Sequence, residues 1–103
     1  MKLYTTPEQT AKLIELGFEP STRIPFEVGN DELGRTFSIG ELIEMLPQAI
    51  EFGENDLLYS LQVVPTAGGG WAISYCNEYD ERNNELIDAL YDMVVKLKEE
   101  GVI

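Results

Sequence analysis

Leu57-Leu58-Tyr59-Ser60-Leu61-Gln62-Val63-Val64, Pro65-Thr66-Ala67-Gly68-Gly69-Gly70 and Trp71-Ala72-Ile73-Ser74-Tyr75-Cys76 run consecutively, and their reading decides the fold. In the first run Leu57, Tyr59, Leu61 and Val63 share one parity, with Ser60 and Gln62 on the other. In the last, Trp71, Ile73 and Tyr75 alternate with Ala72, Ser74 and Cys76. Period-2 alternation is the signature of a strand with one buried face. A glycine-rich connection between two such runs predicts an antiparallel hairpin, 57–64 with 71–76. A lone hairpin is marginal in water, so it needs helix cover, a further strand or a second subunit.

The helices that can supply cover are marked by their ends. Thr6-Pro7-Glu8-Gln9 reads as an N-cap, a proline in the first turn and the Gln of a capping box. Gly17-Phe18 reads as a left-handed C-cap with its apolar contact, which gives a first helix over about 7–16. Ser38-Ile39-Gly40-Glu41 is a second capping box, with Phe37 placed to staple onto Leu42. That helix covers about 39–46 and Pro47 bars its regular continuation, although a further turn through Ala49, Ile50 and Phe52 is open. Leu86, Leu90, Met93, Val94 and Leu97 fall on one helical stripe, which predicts a third helix over about 84–100. Asn83 or Asn84 would cap it, and Gly101 would close it. Ile24, Phe26 and Val28 alternate with Pro25 and Glu27, which suits an edge strand over 24–28. Gly29 to Gly34 then reads as a turn, with Arg35-Thr36-Phe37 as a brief returning strand. The expected class is α+β: a small antiparallel sheet covered by three helices, in one domain spanning 1–103.

Charge narrows the partners. Seven basic residues stand against nineteen acidic ones, a net charge of −12. Affinity for phosphate backbones comes mainly from Lys and Arg, so direct nucleic-acid binding and an anionic membrane surface are both disfavoured. A basic protein partner fits; a homo-oligomer, through an uncovered sheet edge, is open but not indicated. The amino-terminal residues do not read as a signal peptide and no apolar run is long enough to span a membrane, so a cytoplasmic location is expected.

The chemistry is restricted as well. The chain has no histidine and one cysteine, which removes Ser-His-Asp and Cys-His catalysis and leaves no intramolecular disulfide. Cys76 has no basic neighbour in sequence and reads as a small packed residue. Gly68-Gly69-Gly70 leads into a strand and not a helix, the wrong context for a phosphate cradle. Asn30 to Glu41 has the length of a calcium loop, but Gly34 and Arg35 occupy its fifth and sixth positions, where an oxygen ligand and the turn glycine belong. No catalytic residue, metal site or cofactor is expected, and the chain does not read as an enzyme.

Two surfaces remain as candidates. Glu78, Asp80, Glu81, Glu85, Asp88 and Asp92 are dense in acid, and Glu85, Asp88 and Asp92 stack on one face of the third helix. They form either a solvated face or an acidic stripe for a basic partner. Tyr59, Trp71 and Tyr75 are either core packing or the contacts of a small-molecule site, the alternative functional reading. The segments Thr6–Gly17 with Pro20-Ser21-Thr22, Phe37–Pro47 and Leu86–Leu97 together resemble small uncharacterised proteins encoded by phages and integrated mobile elements of gut bacteria. The resemblance implies a context and no activity: an accessory protein acting inside a bacterial host through a host or element-encoded protein.

Overall fold

The computed structural model describes residues 2–19, 22–23, 35–52, 57–76 and 79–103. Its elements run α1 (Pro7–Glu15), β1 (Thr22–Arg23), β2 (Arg35–Thr36), α2 (Ile39–Met45), β3 (Ala49–Phe52), β4 (Leu57–Pro65), β5 (Trp71–Tyr75), β6 (Tyr79–Asn83) and α3 (Leu86–Glu99). Strands β3-β4-β5-β6 form one antiparallel sheet in chain order, and β1 pairs with β2 separately. The class is α+β, with a four-stranded antiparallel sheet and three helices. No helix among the described residues is long and apolar enough to cross a membrane.

Local chemistry sets the helix ends. Thr6 Oγ1 accepts from the Gln9 N–H while Gln9 Oε1 accepts from the Thr6 N–H, and Ser38 and Glu41 repeat the arrangement on α2. At the other ends, Gly17 (φ +102°) and Gly101 (φ +77°) take left-handed backbone. That turn lets the Phe18 N–H reach Leu13 O and the Val102 N–H reach Leu97 O, satisfying carbonyls the helices would leave open. Helix α3 starts later than expected. Glu85 is its N-cap without a side-chain bond, and Asn83 Oδ1 instead accepts from the Glu85 N–H at 3.3 Å.

Two segments depart from the sequence reading. Ala49–Phe52 is a strand and not a further turn of α2, because once Pro47 ends the helix its backbone groups find partners along β4, from Ala49↔Ser60 to Phe52↔Leu57. Tyr79–Asn83, to which the sequence reading assigns no strand, is the edge strand β6, paired from Tyr79↔Tyr75 to Asn83↔Trp71. Cys76 also differs: it is exposed at the end of β5 with a φ of +55°. The expected strand over 24–28 and turn over 29–34 lie outside the described residues.

The core sits between one face of the sheet and the helices. Ile50, Ile73 and Tyr75 meet Ile87, Leu90, Met93, Val94 and Leu97 of α3, with Leu13, Phe37, Leu42 and Leu46 closing the cluster. The opposite face of the sheet, with no helix over it among the described residues, carries Ser60, Gln62, Val64, Ser74, Asp80 and Arg82, the solvated side that antiparallel sheets allow. The β4–β5 connection is closed by hydrogen bonds: the Thr66 N–H donates to Gly70 O at 2.8 Å and the Gly70 N–H to Thr66 Oγ1 at 3.0 Å. Gly70 lies so close to the β6–α3 corner that a Cβ there would stand 2.7 Å from Asn83 O and 3.2 Å from Asn84 Cα. Both are backbone atoms with little room to yield. Gly70→Ala should therefore cost about 1–3 kcal/mol in a urea unfolding titration, while Gly68→Ala, with nothing within 4 Å, should stay within about 0.5 kcal/mol.

Candidate functional site

The acidic residues singled out by sequence divide between two faces. Along β6, Tyr79, Glu81 and Asn83 are half-buried on the side of α3, whereas Asp80 and Arg82 project from the uncovered face. Asp80 accepts from Arg82 Nε at 3.3 Å and Nη2 at 3.2 Å, an exposed pair two residues apart on one strand. Glu78 lies outside the described residues.

The remaining four gather where α3 runs beside β6. Asp88 accepts from Lys2 Nζ at 2.9 and 3.0 Å and from Gln9 Nε2 at 2.8 Å. The Lys2 backbone N–H donates to Glu85 Oε2 at 3.0 Å. These two acids fasten the amino-terminal segment and α1 to α3. Glu81 lies 3.6 Å from Lys96 Nζ, which also stands 5.8 Å from the centre of the Tyr79 ring. Among these acids Asp92 is in a different position. Burial, together with the negative charges of Glu81 and Asp88, pushes its carboxyl above the usual aspartate range, against a hydrogen bond from Asn83 that favours the charged form. Asn83 holds the start of α3, its Oδ1 accepting from the Glu85 N–H.

Lys2, Gln9, Asn83 and Lys96 are the residues that sequence reasoning missed here. Lys2 and Gln9 meet Asp88 across 86 and 79 residues of chain, and no local spacing announces such pairs. Lys96, in the last turn of α3, suits the helix dipole there, and its place beside Glu81 follows only from the fold.

The three aromatics also separate. Tyr75 is fully buried, its hydroxyl donates to Pro47 O at 2.7 Å, and burial pushes its pKa up to about 12. It tethers the end of α2 to the sheet and is out of reach of a surface ligand. Tyr59 is half-buried against the core. Tyr59 borders a depression of about 460 Å³ with Ser60, Gln62, Ser74 and Arg82, and Trp71 borders one of about 260 Å³ with Thr66, Arg82, Asn83 and Asn84. Within it the Thr66 hydroxyl and the Asn83 amide are already bonded inside the protein. Among the described residues no three His, Cys, Asp or Glu side chains come together as a metal site.

The arrangement can concentrate negative potential at the α3–β6 seam, with cations holding its two ends and, among the described residues, none bonded to Asp92 between them. Compared with protein-family models, with curated proteins and with solved structures, this chain matches none.

Proposed function

We propose that this chain is a non-enzymatic accessory protein that binds a protein partner bearing a basic patch, through the acidic seam between β6 and α3. The resemblance to proteins of phages and mobile elements supplies the context for that reading. One observation carries it: Asp92 is held half-buried beside Glu81 and Asp88, where burial first and the repulsion of those carboxylates second raise its pKa, and a partner's Lys or Arg would offset that repulsion.

The cost of this carboxylate has a definite sign. A carboxyl whose folded-state pKa exceeds its unfolded value binds its proton more tightly in the folded state. Its contribution to stability is full below the ordinary aspartate pKa and is lost as pH rises through the raised folded-state value. Asp92→Asn should therefore raise the thermal midpoint at neutral pH, and the gain should vanish below the ordinary aspartate range. The same variant should lose a basic partner captured from host lysate at low salt. Capture unchanged in both Asp92→Asn and Glu81→Gln would reject the seam as the contact surface. The alternative, a small ligand beside Trp71, would be favoured by quenching of Trp71 fluorescence in a ligand screen.

A further inference from the structure

Strand β6 is an edge: among the described residues it pairs on one side only, with β5. The open side of an edge strand can take a further strand, and charged side chains ordinarily protect it from others. The charges of β6 do more than repel, because their order is self-complementary.

When two copies of one strand pair antiparallel about a twofold axis normal to the sheet, opposed side chains share a face only if the axis passes through a residue. Three centres are possible within the charged part of β6. An axis through Asp80 sets that carboxylate against its own copy, and an axis through Arg82 does the same to the guanidinium. An axis through Glu81 sets Asp80 opposite Arg82 twice, on the uncovered face where both are exposed. Opposite charges directly across a strand pair stabilise it and like charges destabilise it. On the other face this register brings the two copies of Glu81 together, each with its own Lys96 at 3.6 Å.

We propose that β6 is a homodimerisation edge on which a second copy of this chain pairs antiparallel, centred on Glu81, joining two four-stranded sheets into one. The occupant follows from charge order: Asp80 and Arg82 flank Glu81 symmetrically, so the strand complements itself in one register. Each copy carries a net charge of −12, and that long-range repulsion is screened by salt. Dimerisation should accordingly strengthen from low to physiological ionic strength. A basic partner on the acidic seam would show the opposite dependence, so the two readings can fail separately.

Sedimentation equilibrium of the full chain tests the pairing. The expected result is a salt-promoted dimer that Arg82→Asp or Asp80→Arg weakens about tenfold or more, each change turning two cross-strand attractions into repulsions. The double variant Asp80→Arg, Arg82→Asp restores the complementary order and should return dimerisation to near the original strength. Circular dichroism establishes that each variant is folded, which their exposed side chains favour. If the singly reversed chains misfold, slowing of amide exchange in 79–83 of the unaltered protein with rising concentration gives a second reading. A chain that stays monomeric at millimolar concentration at every salt overturns the proposal. So do single reversals that leave the dimer unchanged, or a double variant no better than either single one.

Discussion

Phe37→Ala should remove about 3–5 kcal/mol of unfolding free energy, a large share of what a domain of this size possesses. Phe37 follows the strand β2, precedes the α2 cap and is fully buried with Leu13, Leu42 and Leu46. Its backbone is tied down as well, its carbonyl accepting from the Thr5 N–H at 3.0 Å. With its backbone held in place, position 37 cannot shift to close the space a truncated ring leaves, so the cavity term adds to the lost burial. Phe37→Leu keeps most of the volume and should lose much less. Urea titrations of both variants check the pair: a shift in midpoint without a change in slope is expected, and similar small losses for both would mean that this corner repacks freely.

Thr5→Val should cost about 2–3 kcal/mol, more than Thr10→Val, although the two side chains are nearly isosteric and equally buried. Thr5, Thr10 and Thr36 form a buried triangle of hydroxyls, with Oγ1–Oγ1 distances of 2.7, 2.8 and 3.0 Å. Counting protons decides which member matters. Thr10 Oγ1 has a backbone acceptor in Thr6 O at 2.8 Å, and Thr36 Oγ1 has one in Thr5 O at 3.0 Å. Thr5 Oγ1 has no backbone acceptor among the described residues, so its proton goes to one of the other two hydroxyls while it accepts from the Phe37 N–H at 3.2 Å. Valine at position 5 leaves that buried amide without its acceptor, which costs more than the loss of an ordinary hydrogen bond. Valine at position 10 removes a donor to Thr6 O, but that carbonyl still accepts from the Thr10 N–H at 2.8 Å, so about 1 kcal/mol is expected. Thr5→Ser, which keeps the hydroxyl, should recover most of the loss. Equal costs at positions 5 and 10 would show that the network does not have this direction.

The two experiments bear on one corner, where the amino-terminal segment, α1, β2 and α2 meet. Nothing in the sequence marks it. Thr5 reads as one more residue before a helix cap, and Thr36 as part of a short extended run. Their hydroxyls acquire a role only when Tyr4 bridges to Ser38 and brings segments 31 residues apart into contact. The acidic surface was legible in the same partial way. Sequence identifies Glu81, Glu85, Asp88 and Asp92 as acids in the right region, but Asp88 becomes a fastening for Lys2 and Gln9 only in the fold. Asp80 and Glu81, adjacent in sequence, end on opposite faces because β6 is a strand and not a loop.

The sequence by itself determined the three helices, the N-caps of α1 and α2, the glycine ends of α1 and α3, and the α+β class. These depend on signals within a few residues of one another: Thr6 with Gln9, Ser38 with Glu41, and glycines at 17 and 101 that accept a left-handed backbone. Only the tertiary structure decided that Ala49–Phe52 and Tyr79–Asn83 are strands. Neither carries a strong apolar alternation of its own, and a strand's backbone bonds belong to its neighbour, so β3 exists because β4 is beside it and β6 because β5 is.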